Sequence, residues 1–317
     1  MNELLIKVPE SEFKALLDRD KVVAAIKEHL RPKTGLVNDI TNYGTNLIPR
    51  CFESSDRKLK DVMLLAVLLR QVIAMIDGVD ILLSNGAVHA ANLQMRALFE
   101  ASVYIDWILL GDSENKAVYY YVHNLRRKRH WLMRTQPGTK QSQEFAEMLN
   151  NVGMPISDEV RDSAKARIKE IDRIISQPTL AVVSADFEQR CKGKAFDPAW
   201  YVPFGERSLG TMSKKVDKAA LYLFLYGGAS EVMHTSSYEH HVKFGSGEVT
   251  FEPIRSVEGF KNVFYFTLNV AIPTFRTILR TYRPGELEAF AKKYVEKWQK
   301  EFMNFPKIEV RQETSRI

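Results

Sequence analysis

Cysteine is nearly absent from this chain of 317 residues: Cys51 and Cys191 are far apart in sequence and carry no Cys-x-x-Cys spacing. That excludes a disulfide framework and a zinc knuckle, and fits a reducing compartment. Glycine (16) and proline (12) are sparse while 45% of residues are hydrophobic, so neither disorder nor low complexity describes the chain. The opening stretch MNELLIKVPESEF has no basic region followed by a long apolar core, so a secretory signal is not expected. The longest uncharged apolar stretch, Asn262 to Phe275, is 14 residues. A bilayer needs about 18 to 20, so no membrane partner is expected and the location expected is cytoplasmic. No P-loop, no Gly-x-Gly-x-x-Gly after a strand and no Gly-x-Ser-x-Gly elbow is present.

What remains is a mild basic excess. Lys and Arg number 45 against 39 Asp and Glu, a net charge of +6 with a pI near 9.1. A lean of this size permits weak attraction to phosphate-bearing partners without demanding it. It concentrates in LRRKRHWLMR, residues 125–134, where Arg126, Arg127 and Lys128 are candidate nucleic-acid contacts. Arg129 falls on the apolar stripe of Val118, Val122, Leu125 and Leu132 and is expected to pair inward. The plain alternative is a solvated, charged helix end.

Apolar residues recur at helical spacing over long segments free of Pro and Gly, which predicts a mainly α fold. We expect a single helical bundle-like domain with a small β-hairpin insertion near 241–254, where HVKF and VTFEPI alternate around a Gly-Ser-Gly turn. The division expected is an N-terminal helical extension over 1–57, a helical core over 58–303 with a long ordered loop at 192–210, and a polar tail over 304–317. Within it, helices are predicted over Ser11–Leu30, stopped by Arg31-Pro32, then over Asp61–Leu83, Val88–Leu110, Lys116–Arg134, Gln141–Asn150, Asp158–Ser176, Val216–Tyr238 and Val257–Tyr282. Pro273 should kink the last of these, and Pro284 should start a final amphipathic helix to about Phe302.

Two polar constellations stand out against this apolar background. On the helix from Val88, the residues His89, Asn92, Arg96 and Glu100 recur every three or four positions and line one face. Met95, Leu98, Phe99 and Val103 flank Arg96 and Glu100, so a buried intrahelical pair is expected, and a buried pair needs further partners. In YGGASEVMHTSSYEHH, Tyr226, Ser230 and His234 are four residues apart and stack on one helical face. A phenol, a hydroxyl and an imidazole in line can donate, relay and accept protons. The same ladder could simply hold two helices together. Glu231-x-x-His234 supplies half of a di-iron Glu-x-x-His pattern whose second half is missing, so neither a metal nor a cofactor is expected.

These marks, with ERSLGTMSKKV between them, resemble the bacterial domain-of-unknown-function family 5677, over about residues 60 to 280. Its Arg-x-x-x-Glu and Tyr-x-x-x-Ser-x-x-x-His helices match Arg96, Glu100, Tyr226, Ser230 and His234. The resemblance implies an all-helical protein and, for some members, a link with bacterial defence; it supplies no activity. Helical toxin-like ribonucleases of the HEPN superfamily are similar in being helical and basic, but place an Arg five to seven residues before the His. No histidine here has that arrangement, so such chemistry requires Arg96 and His234 to meet from different helices. Two functions follow: a defence or toxin-like effector with a metal-independent phosphodiesterase or RNase-like site acting on RNA or another phosphate-bearing ligand, or a non-enzymatic interaction module, self-associating or partner-binding, in which the cluster is structural.

Overall fold

The structure is a computed structural model that describes residues 19–53, 59–192, 196–226, 241–245, 248–307 and 315–316. It is mainly α, as the apolar periodicity requires. The chain divides into two compact units, Met1–Leu110 with Leu209–Ile317, and Gly111–Ser208. The body expected as one core over 58–303 is thus interrupted by a second unit with its own apolar interior.

In the first unit, α1 (Arg19–His29) is followed after Leu30 by α2 (Arg31–Glu53). The first helix ends before Arg31-Pro32 as expected, and Pro32 occupies the first turn of α2, where a missing N–H leaves no hydrogen bond unmade. Helices α3 (Leu59–Ser84) and α4 (Val88–Leu109) form a hairpin around Gly86, whose φ of +69° suits glycine. Within α3, Asp61–Ser84 is long and apolar enough by length and composition to cross a membrane, and half of that stretch is buried in the protein. The uncharged-run criterion passed over it because Arg70, Asp77 and Asp80 interrupt it.

Helix α9 (Leu209–Lys215) is separated from the three-residue α10 (Ala219–Leu221) by Asp217, which adopts a left-handed conformation at φ 56°. That break is why no helix begins at Val216. From α10 the chain enters a π-helical turn, Tyr222–Tyr226. Strands β1 (Val242–Gly245) and β2 (Glu248–Phe251) pair antiparallel, with Val242 opposite Phe251, and β2 also pairs with β3 (Ser315–Arg316). A long helix, α11 (Phe260–Tyr282), contains Pro273. The expected final helix is broken into a 3₁₀ turn (Pro284–Glu286), α12 (Leu287–Lys293), a π turn (Tyr294–Trp298) and α13 (Gln299–Met303).

The core of this unit lies where α2, α3 and α11 cross. A Cβ on Gly44 would stand 2.6 Å from Phe275 Cζ and 2.8 Å from Ile73 Cγ1, so the absence of a side chain lets three helices approach. Beside it, Tyr43 packs against Phe290 and Trp298 at centroid distances of 5.3 and 5.4 Å, and Trp298 is fully buried. Lys33, buried on α2, donates to the Glu301 carboxylate at 2.9 Å and to the Glu301 and Asn304 carbonyls at 2.6 Å, tying the end of α13 to α2.

The second unit packs α5 (Ser113–Met133), α7 (Asp158–Ile175) and α8 (Pro178–Cys191) around Val122, Ile168, Ile171, Val183 and Phe187, and also contains α6 (Lys140–Asn151). Local side chains start these helices. Asp112 and Ser157 accept from the Asn115 and Val160 amides, and Thr139 with Ser142 forms a capping box. Helix α8 starts on Pro178, the favoured first-turn residue. The loop after α8 is pinned by its aromatics, with Trp200 against Tyr120 at 5.1 Å and Phe204 against Tyr119 at 5.0 Å.

Candidate functional site

The polar face of α4 is present where the spacing places it, but it is half-buried rather than sealed. His89, Asn92, Arg96 and Glu100 are all of intermediate exposure, while Ala91, Met95, Leu98 and Phe99 on the other faces are buried. The periodicity correctly separated the two faces and overstated how far the core closes over the charged one.

Tyr226 reaches this stripe from the π turn. A π turn places an extra residue in the turn and so re-aims the side chains that follow, and such turns recur at working sites. The Arg96 guanidinium lies over the Tyr226 ring at 4.3 Å from its centroid, and Nη2 donates to the phenol oxygen at 2.5 Å. On the other side of the same ring system, Tyr222 stacks on Tyr226 at 5.1 Å and 17°. Gly210 admits Tyr222, since a Cβ there would stand 3.0 Å from its ring. Burial raises the pKa of Tyr226; Arg96 opposes that rise, and the charges of Glu100 and Tyr222 add to it. The phenol therefore stays protonated. Its oxygen already accepts from Arg96, and among the described residues its hydrogen has no acceptor. Glu100, one turn on from Arg96, accepts from the Tyr104 hydroxyl at 2.8 Å.

Ser230 and His234, the other members of the expected cluster, lie outside the described residues, as does Glu231. The residues bounding that segment both touch the stripe. Tyr226 precedes it, and His241 follows it with its ring edge-on to His89 at 4.9 Å. Next to His89, a cavity of about 380 Å³ is lined by Asn92, Glu252, Ser256, Glu258 and Asn262 among others.

A second polar face of α4 escaped the sequence reading. Ser102 and Asp106, one turn apart, both meet Lys218, which precedes α10: the ammonium donates to Ser102 Oγ and stands 2.6 Å from Asp106 Oδ2. All three are close to inaccessible, with Lys218 and Asp106 side chains 8% and 14% exposed. Their i and i+4 spacing on an apolar helix was the available signal; the cationic partner, over 100 positions away, was not.

In the second unit, the basic run lies on α5 beside a cavity of about 740 Å³. Arg126 faces inward rather than outward: Nε and Nη2 hold Asp197 at 2.8 and 3.0 Å, and Nη1 donates to Ser184 Oγ at 2.8 Å and Glu188 at 3.0 Å. Arg129, expected inward, pairs with Asp172 at 2.6 Å in a half-exposed position. The three arginines lining this cavity, Arg126, Arg127 and Arg129, therefore face three carboxylates, those of Asp172, Glu188 and Asp197. Arg127 and Lys128 are exposed. His123 has its pKa lowered, chiefly by burial, which keeps it neutral despite Asp197. Among the described residues no three His, Cys, Asp or Glu side chains gather as a metal site would require.

Compared with known families, residues 62–249 match the family described as "Family of unknown function (DUF5677)". No curated protein and no solved structure matches the chain.

Proposed function

Since the chain belongs to the DUF5677 family and the match runs from α3 into β2, carrying all of α4 and Tyr226, we propose that the α4 stripe is the floor of a metal-independent phosphodiesterase site of RNase-like type. The observation that carries this reading is the Arg96–Tyr226 pair. The guanidinium, stacked over the Tyr226 ring and donating Nη2 to its oxygen, is a fixed planar cation of the kind that stabilises phosphoryl oxygens, and the neutral phenol beside it has a hydrogen to give.

In this reading a general base removes the proton of a ribose 2′-hydroxyl, the oxygen attacks phosphorus, and the departing 5′-oxygen leaves with a proton. Arg96 offsets the charge that develops on the phosphoryl oxygens. His234 is the proposed acid or base, Ser230 relays a proton, Tyr226 hydrogen-bonds a phosphoryl oxygen, and Glu100 positions the group that receives its charge. Two described residues support drawing His234 in: Tyr226 and His241 bound its segment and both touch α4. A defence or toxin-like effector is the role this chemistry would serve.

The test is cleavage of a fluorophore-quencher RNA by the full chain in the presence of EDTA, with Arg96→Ala and His234→Ala as controls. Cleavage that survives EDTA and falls by about 10²–10³-fold in Arg96→Ala, with the fold intact by circular dichroism, is expected. Expression of the active chain would arrest bacterial growth and His234→Ala would not. No cleavage under any condition, with both variants folded and inert, leaves the non-enzymatic interaction module.

A further inference from the structure

The outward face of α3 carries a pattern that the core does not use. Met63, Val67, Arg70, Ala74, Asp77 and Ile81 follow one another at intervals of four, three, four, three and four residues, the a/d seam of a coiled coil. Ordinary surface stripes are polar; on this one Met63, Val67 and Ile81 are 50%, 59% and 57% exposed. Arg70 and Asp77 are also exposed, two turns apart on the same helix, and neither has an ion-pair partner among the described residues.

The pattern is palindromic about Ala74. Val67 and Ile81 are each seven residues from it, and Arg70 and Asp77 are four and three residues from it on opposite sides. In an antiparallel helix pair related by a two-fold axis, residues equidistant from the crossing point face each other. A second copy crossing at Ala74 therefore places Val67 against the copy's Ile81 at both ends. It also brings each Arg70 within about one residue's rise, ~1.5 Å along the axis, of the copy's Asp77. The small side chain at the centre permits close approach of the two backbones. We infer that this stripe is a homodimer seam, in which two α3 helices pack antiparallel and two reciprocal Arg70–Asp77 pairs fix orientation and register.

Charge decides between this occupant and a lipid surface. Arg70 and Asp77 sit in the middle of the stripe, and an unneutralised charge of either kind in hydrocarbon costs about 3 kcal/mol. In the seam each meets its opposite. Polar residues at single seam positions are also the usual device that selects one register over its neighbours.

The experiment is sedimentation equilibrium on the full chain and on three variants, with circular dichroism as the check on folding. The wild type should weigh twice its 36.4 kDa chain mass. Arg70→Asp, which sets Asp against Asp, and Asp77→Arg, which sets Arg against Arg, should each weaken dimerisation about tenfold or more, or ~1.4 kcal/mol. The double variant Arg70→Asp/Asp77→Arg restores complementarity and should dimerise nearly as the wild type does. A monomeric wild type overturns the seam, as does a monomer that sediments with anionic phosphatidylserine vesicles. A dimer indifferent to the single reversals, or not rescued by the double one, overturns it equally.

Discussion

Arg96 is a cation whose environment is built by two tyrosines and a glycine: Tyr226 beneath its plane, Tyr222 beneath that, and Gly210 making room. Lysine cannot reproduce this, because an ammonium has no plane to stack and no fork to share between a phenol and a phosphate. Arg96→Lys should therefore lose most of the activity lost by Arg96→Ala, measured as RNA cleavage, while folding normally. Tyr226→Phe keeps the ring and removes the hydroxyl; a loss of about 10–100-fold, of the size of one good transition-state hydrogen bond, is expected. Because its pKa is raised by burial, Tyr226 adds no limb to the pH–rate profile near neutrality.

Asp80 offers an independent residue-level test of the fold. Burial, and then the charge of Asp77, lift its pKa from 3.8 to about 6, against the opposing hydrogen bond from Asn38. Between those two pH values the folded chain holds a proton that the unfolded chain has released, so stability increases as pH falls through 6 and levels off below 3.8. Asp80→Asn removes this dependence. It should raise the melting temperature at pH 7.5 and leave it unchanged near pH 3.5, for a gain of about 1–2 kcal/mol once partial solvation is allowed for. The α4 stripe was legible at this scale because residues three and four apart in sequence are neighbours on a helix. The Lys218–Asp106–Ser102 group was not, because its ends meet only through the packing of α9 and α10 against α4.

Elements began where local chemistry dictates and ended less predictably. The Ser84-Asn85-Gly86 turn marked the α3–α4 hairpin to within a residue or two, since a left-handed position demands glycine. The π turn at Tyr222–Tyr226 has no comparable signature: its ring stack and Arg96 contact arise from tertiary packing, which overrides propensity. Two substitutions probe how the elements hold. Lys218→Met leaves Asp106 buried with its charge unmatched and should cost about 3–5 kcal/mol in chemical denaturation, while Lys218→Met/Asp106→Leu should recover most of the loss. Gly44→Ala drives a methyl into Phe275 and Ile73 where three helices cross, and should cost about 1–3 kcal/mol unless Phe275 is shortened at the same time.

Over the whole molecule, the composition set a net charge of +6, and the structure shows how little of the basic run is free to act. Arg126 is held by Asp197 and Glu188, and Arg129 is paired with Asp172, which leaves Arg127 and Lys128 as the exposed cations among the four consecutive basic residues. Carboxylate geometry rather than helical phase decided this: Arg126 turns inward because Asp197, in a loop whose position no periodicity encodes, takes both arms of its guanidinium. Phosphate contacts release counterions in proportion to the number of free cations engaged, with a slope in log K against log salt of about −0.7 per contact for single strands. Two contacts on this face give a slope of about −1.4. Filter binding of a single-stranded RNA between low and physiological salt should therefore show a shallow dependence, which Arg127→Gln/Lys128→Gln flattens and Arg126→Gln leaves nearly unchanged except through stability. A slope steeper than about −4 would require about six or more phosphates on the protein and would mean that the paired arginines exchange their carboxylates for RNA.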